Sequence, residues 1–231
     1  KMHQSVDGSL RGRVENRWPA IREQQVSWDQ RPASTLLDEA GLVVTGASSV
    51  ALEAVCRGVA AAGYTEPTAI QARGIPVILA GKDVIGSAQT GTGKTASFVL
   101  PALQKLLKPA KPGCGPRVLV LTPTRELALQ VTGAVEKYSK FMPRVRTGTV
   151  LGGMPYPKQR RLLEMPLDVL VATPGRLIDF IDQGKVDFSR LELLVLDEAD
   201  RMLDMGFIKP VEKIAAATPG DRQTLLFSAT L

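Results

Sequence analysis

Six short apolar runs punctuate the chain: Asp83-Val84-Ile85-Gly86, Val118-Leu119-Val120-Leu121, Thr147-Gly148-Thr149-Val150-Leu151, Val169-Leu170-Val171-Ala172, Leu193-Leu194-Val195-Leu196 and Thr224-Leu225-Leu226-Phe227. They are continuous rather than alternating, as expected of strands covered on both faces. Helix-length segments lie between them at 94–107, 125–140, 155–164, 174–183 and 208–217. An earlier helical face runs from Ser49-Val50-Ala51-Leu52 through Val55, Val59 and Ala62 and stops at Gly63. Strand–helix–strand alternation of this kind predicts an α/β fold: a doubly wound, mostly parallel sheet with helices on both faces. Ligands of such sheets bind beyond the carboxyl ends of the strands, so the loops there carry the functional reading.

Composition narrows the class. A chain of 231 residues, 44% hydrophobic and 23% charged, has the make-up of a globular protein. At this size roughly 70–75% of the unfolded surface is buried on folding, so no disulfide or metal staple is needed. Cys56, Cys114 and the single histidine, His3, form no metal-ligand pattern and no disulfide framework, which favours a reducing compartment. No run approaches the roughly 18 apolar residues of a membrane span, and the first residues lack a signal peptide's apolar core. The expectation is a soluble, intracellular, cytoplasmic monomer without membrane contact. Residues 1–45, with isolated Trp18 and Trp28 and weak periodicity, read as an N-terminal extension or linker, and 46–231 as the main domain.

The net charge of +6 is unevenly spread. Residues 1–40 balance six basic against six acidic side chains, whereas 101–161 set twelve basic residues against Glu126 and Glu136 alone, a local net of +10. Such a bias suits a polyanion such as nucleic acid, and equally a solvated basic face.

The first post-strand loop reads Ala88-Gln89-Thr90-Gly91-Thr92-Gly93-Lys94-Thr95. Gly91 and Gly93 permit a backbone that turns successive N–H groups inward around phosphates, and the helix opening at Lys94 adds its positive end. Lys94 is suited to β- and γ-phosphates and the Thr95 hydroxyl to Mg2+; Ala88 stands where the general phosphate-loop pattern has glycine. A second carboxylate site follows the strand at 193–196, in Asp197-Glu198-Ala199-Asp200. Asp197 is placed to hold Mg2+ and Glu198 to polarise the attacking water or accept its proton, although an acidic helix N-cap would use the same residues. Together the two loops point to a nucleoside triphosphate.

These motifs resemble one family, the DEAD-box ATP-dependent RNA helicases of superfamily 2, over about residues 46–231. The resemblance implies a RecA-like domain that binds ATP with Mg2+. Gly63-Tyr64-Thr65-Glu66-Pro67-Thr68-Ala69-Ile70-Gln71 looks like the family's adenine-reading Q motif. A glutamine amide such as that of Gln71 can pair with adenine N6 and N7, which guanine cannot match, and Tyr64 would stack on the base. Pro123-Thr124-Arg125-Glu126-Leu127, Gly152-Gly153 and Thr173-Pro174-Gly175-Arg176 match motifs that grip the RNA backbone. Contacts of that kind imply sequence-independent binding, although Arg125 and Arg176 would also serve as helix-start charges. Ser228-Ala229-Thr230 matches the motif linking hydrolysis to strand separation, with its hydroxyls expected to bond toward Asp200.

The chain departs from the family pattern at Gly46, where relatives usually carry an aromatic residue; nucleotide affinity is expected to be weaker for it. No later family motif follows Ser228-Ala229-Thr230. The expectation is therefore a first RecA-like domain without the second, which supplies catalytic arginines and the other half of the RNA clamp. Such a chain should bind ADP or ATP weakly, hydrolyse ATP negligibly and unwind nothing alone. A DNA-directed superfamily 2 translocase and a nucleotide-gated RNA clamp share most of these motifs; turnover and strand release separate the three readings.

Overall fold

Each apolar run becomes a strand in the computed structural model, which describes residues 49–230 apart from Thr90. The strands are β1 (Val84–Ser87), β2 (Val118–Leu121), β3 (Thr147–Val150), β4 (Val169–Ala172), β5 (Leu193–Leu196) and β6 (Gln223–Ser228). They pair in the order β1-β6-β5-β2-β4-β3, and every neighbouring pair is parallel. The expected mostly parallel sheet is thus parallel throughout the described strands. The expected boundary near residue 46, the extension before it and Gly46 itself lie outside the described residues.

The helices are α1 (Ser49–Ala61), α2 (Ala69–Leu79), α3 (Lys94–Leu106), α4 (Arg125–Tyr138), α5 (Tyr156–Leu163), α6 (Pro174–Asp182), α7 (Ala199–Asp204) and α8 (Ile208–Ala216). Two of them, α2 and α7, carry no sequence expectation. Gly74 and Pro76 interrupt the helical pattern of α2, yet a capping box between Thr68 and Gln71 starts it and packing on α3 and β1 holds it. At six residues, α7 is too short for periodicity to show.

Alternate residues of each strand point to opposite faces. Val118, Val120, Val171, Val195 and Leu225 meet Ile78 of α2, Phe98 and Leu103 of α3, and Val131 and Val135 of α4. Leu119, Leu121, Leu170, Leu194 and Leu226 meet Leu177 and Phe180 of α6, Met202 of α7, and Val211 and Ile214 of α8. Both faces are therefore dry, which is why the strands read as unbroken apolar runs.

One buried cation ties the base of α3 to the sheet. Arg117, 3% exposed, donates to the carbonyls of Lys105 (3.1 Å), Leu106 (3.1 Å) and Lys108 (2.9 Å) and pairs with Glu192 at 2.6 Å. It satisfies carbonyls that a helix C-terminus leaves without partners, and so anchors the helix whose other end begins at Lys94.

Candidate functional site

The strand order divides the carboxyl rim of the sheet into two halves. Adjacent strands β1, β6 and β5 lead into 88–95, 228–230 and 197–200; adjacent strands β2, β4 and β3 lead into 122–125, 173–176 and 151–155. The expected nucleotide residues thus share one half of the rim, and the expected nucleic-acid residues the other.

In the first half, Gly93 is the N-cap of α3 and takes a left-handed conformation, φ 86°. A side chain there would be strained and would run into the amide nitrogen of Gln71. That amide is 4% exposed; its Oε1 accepts from the Thr68 N–H at 3.1 Å and its Nε2 donates to the Gly93 carbonyl at 3.2 Å. Gln71 therefore joins the start of α2 to the phosphate loop, and retains one N–H and one lone pair for a ligand. Beside it lies a cavity of about 290 Å3 lined by Val59, Tyr64, Gln71, Ile75, Leu100 and Pro101. Tyr64 is fastened within this wall: its hydroxyl bonds that of Tyr138 at 2.9 Å, with the two rings 6.0 Å apart. Burial and that bond push the Tyr138 hydroxyl above the usual phenol range.

The Thr92 hydroxyl is spent on the Gln89 carbonyl at 2.6 Å, which closes the loop, and Ala88 donates its N–H to the Ser228 carbonyl at 3.0 Å. Lys94 is buried and its Nζ lies 2.9 Å from Glu198 Oε1, so the lysine expected to meet phosphate meets the expected catalytic carboxylate instead. Glu198 is the one non-glycine with positive φ among the described residues (φ 57°, ψ 50°). This sparsely populated conformation recurs at functional sites.

Asp197 directly follows β5 at 4% exposure, and its Oδ1 has no hydrogen-bond partner. Burial raises its pKa to about 6 against the attraction of Lys94. A buried, orphaned carboxylate oxygen near a phosphate loop fits a hard cation, and Thr95, half-buried in the first turn of α3, offers the hydroxyl expected alongside it.

Asp200 gathers the third loop. Its Oδ2 accepts from the N–H groups of Ala229 (3.0 Å) and Thr230 (3.1 Å) and from the Thr230 hydroxyl (3.0 Å). Burial pushes this carboxyl up, but the Arg201 N–H and the hydroxyl and N–H of Thr230 outweigh it and hold it low. The Ser228 hydroxyl itself donates to the Thr230 carbonyl at 2.6 Å, shaping the turn that presents Thr230 to Asp200.

In the second half, Arg125, Gly153 and Gly175 are exposed, whereas Pro123, Thr173 and Pro174 are buried. The two prolines shape their loops from buried positions. The Thr124 hydroxyl caps α4 by accepting from the Leu127 N–H at 3.3 Å. Gly152 donates its N–H to the Thr173 hydroxyl at 3.3 Å, so it is engaged within the protein. Gly153 has φ 73°, and a Cβ there would lie 2.7 Å from Arg125 Nη1. Arg176 stacks 4.8 Å over the Tyr156 ring, approaches Asp179 at 3.7 Å and donates to the Met154 carbonyl at 3.0 Å.

Sequence reasoning missed Thr68, Tyr138, Met154 and Gln159. The Thr68-Ala69-Ile70-Gln71 spacing is a capping-box signal that could have found the first. Tyr138 and Met154 carry no local signal, because their partners Tyr64, Arg125 and Arg176 are distant in sequence, and the bonds of Gln159 to the nearby Leu151 and Met154 follow no recognised spacing.

A family model described as DEAD/DEAH box helicase matches residues 68–231. The chain is 51% identical over 170 residues to the ATP-dependent RNA helicase SrmB of Escherichia coli (strain K12), covering 73% of this chain and 38% of that protein. It is 50% identical over 177 residues to the ATP-dependent RNA helicase DBP2 of Chaetomium thermophilum, covering 74% and 31%. The crystal structure of a DEAD box protein from the hyperthermophile Methanococcus jannaschii superposes with a TM-score of 0.70 at 37% identity, over 81% of this chain and 49% of that one. The chain thus spans well under half the length of the curated relatives it matches. With a RecA-like parallel sheet and with the phosphate loop at 88–95 and Asp197-Glu198-Ala199-Asp200 on the same half of its rim, this chain belongs to the DEAD/DEAH box helicase family.

Proposed function

We propose that residues 46–231 are the first RecA-like domain of an ATP-dependent RNA helicase, preceded by an extension at 1–45. A second RecA-like domain of the same protein completes the enzyme. The observation that carries this reading is the divided rim, with the phosphate loop, Asp197-Glu198 and the Asp200–Thr230 contact on one half and the arginine- and glycine-bearing loops on the other. Related proteins named as ATP-dependent RNA helicases support the substrate assignment.

In this reading the cavity beside Gln71 takes the adenine, with the free N–H and lone pair of the Gln71 amide directed to the base and Tyr64 against it. The backbone around Gly91, Thr92 and Gly93 takes the phosphates. Lys94 leaves Glu198 for the β- and γ-phosphates, and Glu198, released from its counter-ion, accepts the proton of the attacking water. Asp197 and Thr95 hold Mg2+, which when bound neutralises charge on the phosphoryl oxygens. Thr124, Arg125, Gly153, Gly175 and Arg176 face single-stranded RNA through its backbone, independent of sequence. Asp200, tied to Ala229 and Thr230 beside the phosphate-loop strand, transmits nucleotide state to domain closure, which bends one RNA strand away from its partner.

Arginines from the second domain are worth about 10^3–10^5 in rate in related phosphoryl transfer, so the isolated chain turns over ATP negligibly. We place the protein in the cytoplasm as a monomer; among the described residues no helix is long and apolar enough to cross a membrane.

ATP hydrolysis by the full-length protein, measured alone, with single-stranded RNA and with single-stranded DNA of equal length, tests the assignment. RNA-specific stimulation is the expected result. Equal stimulation by DNA would make it a translocase on either nucleic acid, and none with either would leave an RNA clamp.

A further inference from the structure

The turn between β3 and α5 holds two adjacent glycines, Gly152 and Gly153, and such a turn has little intrinsic reason to keep one shape. Its shape comes from Gln159 on α5, a side chain only 5% exposed. Gln159 Oε1 accepts from the Leu151 N–H at 2.6 Å, and Nε2 donates to the carbonyls of Leu151 at 3.1 Å and Met154 at 3.2 Å. Both amide hydrogens are thereby committed to one four-residue stretch of main chain.

Met154 is also where the arginines of the two neighbouring loops converge. Arg176 Nη1 donates to the same Met154 carbonyl, and Arg125 Nη2 reaches the Met154 sulfur at 3.8 Å. Arg176 is only 14% exposed, so its orientation depends on this carbonyl and on the Tyr156 ring beneath it. Met154 thus touches both arginines, and its carbonyl is shared between Arg176 and Gln159.

We infer that Gln159 is the positioning residue of the RNA-facing rim: buried away from RNA, it fixes the turn at Gly152–Met154 and, through Met154, the relative placement of Arg125 and Arg176. This deepens the proposed function and rests on its RNA reading. Among the described residues the nucleotide half of the rim has no hydrogen bond to Gln159, so the effect of losing it should fall on RNA affinity and spare nucleotide affinity.

The 231-residue chain is titrated against fluorescein-labelled single-stranded oligouridylate at low ionic strength, and in parallel against a fluorescent ADP analogue. Gln159→Glu keeps the acceptor for the Leu151 N–H and loses both donated bonds; of these only the bond to Met154 bears on the arginines, so RNA binding should weaken by about fivefold, the factor that this one lost hydrogen bond carries. Gln159→Leu loses all three and should weaken it further, and ADP affinity should be unchanged in both. Should the leucine variant fail to fold, the near-isosteric glutamate variant still decides. RNA affinity unchanged in Gln159→Glu overturns the inference, and so does ADP affinity falling in step with RNA affinity, the mark of a fold-wide role. Arg125→Ala serves as the control: RNA binding lost there but intact in both Gln159 variants removes the positioning role alone. A wild-type chain that binds no RNA removes the claim that this rim carries RNA affinity, and the inference with it.

Discussion

In metal-free protein, Asp197→Asn should stabilise the fold at neutral pH although it removes the proposed magnesium ligand. Burial raises the Asp197 carboxyl from 3.8 to about 6, with Lys94 opposing, and Oδ1 has no partner to offset the cost of ionising there. Between these two values the folded state holds a proton that the unfolded chain has released. Stability therefore falls as pH rises through this window, and the full penalty is present above about pH 6. The separation of the two values corresponds to about 3 kcal/mol. An asparagine at 197 never ionises, but its buried amide hydrogens need acceptors, a cost of about 1 kcal/mol. The net gain of about 2 kcal/mol should raise the melting temperature by about 4–8 °C for a domain of this size. Thermal melts in EDTA at pH 7.5 should show that gap, closing to near zero by about pH 4.5, where the wild-type carboxyl is protonated when folded. An asparagine variant that melts at or below wild type at pH 7.5, or a gap indifferent to pH, would refute the claim that Asp197 is held ionised at a cost. Magnesium with ADP should then stabilise wild type more than the variant.

Lys94→Ala should abolish ADP binding by the chain, measured by calorimetry, and affinity within twofold of wild type would remove Lys94 from the phosphate site. Glu198→Gln should keep ATP and RNA binding while stopping hydrolysis in the full-length protein. Because Glu198 pairs with Lys94 at 2.9 Å, that variant should also bind ADP as tightly as wild type or tighter, and weaker binding would contradict the competition between carboxylate and phosphate. Arg117→Met strips a buried charge partner from Glu192 and three carbonyls of their donor, for a loss of about 3–5 kcal/mol. Denaturant melts should show it, and a loss below about 1 kcal/mol would mean that other groups or water already satisfy the base of α3.

What could be read from the sequence was whatever a single short segment determines. A strand buried on both faces must be apolar at every position, so β2, β4 and β5 announced themselves without ambiguity, and the edge strands β1 and β3 and the partly polar β6 were still found to within a residue or two at each end. The phosphate loop and Asp197-Glu198-Ala199-Asp200 were legible for a related reason: each packs its chemistry into a few consecutive residues after a strand. Helix α2 was hidden because its stability comes from a cap and from packing on α3, while Gly74 and Pro76 argue locally against it. Pairings across the chain carry no such local mark. Lys94 meets Glu198 104 residues away, Gln71 meets Gly93 22 residues away, and Arg176 meets Met154 at the same separation of 22.

The strand order is the deepest of these long-range facts, because it decides which loops become neighbours. Placing β6 between β1 and β5 sets the Ser228–Thr230 turn between the phosphate loop and Asp200, the position that the proposed coupling requires. The main-chain contacts follow from that placement: Ala88 donates its N–H to Ser228, while Ala229 and Thr230 donate theirs to Asp200. A shift of the phosphate loop therefore moves the 228–230 turn through hydrogen bonds to its own backbone, without requiring a particular side chain at Ala229. The three small residues Ser228-Ala229-Thr230 look uninformative in sequence because their contribution is main-chain donors and one hydroxyl, delivered by topology to the edge shared by the two flanking strands.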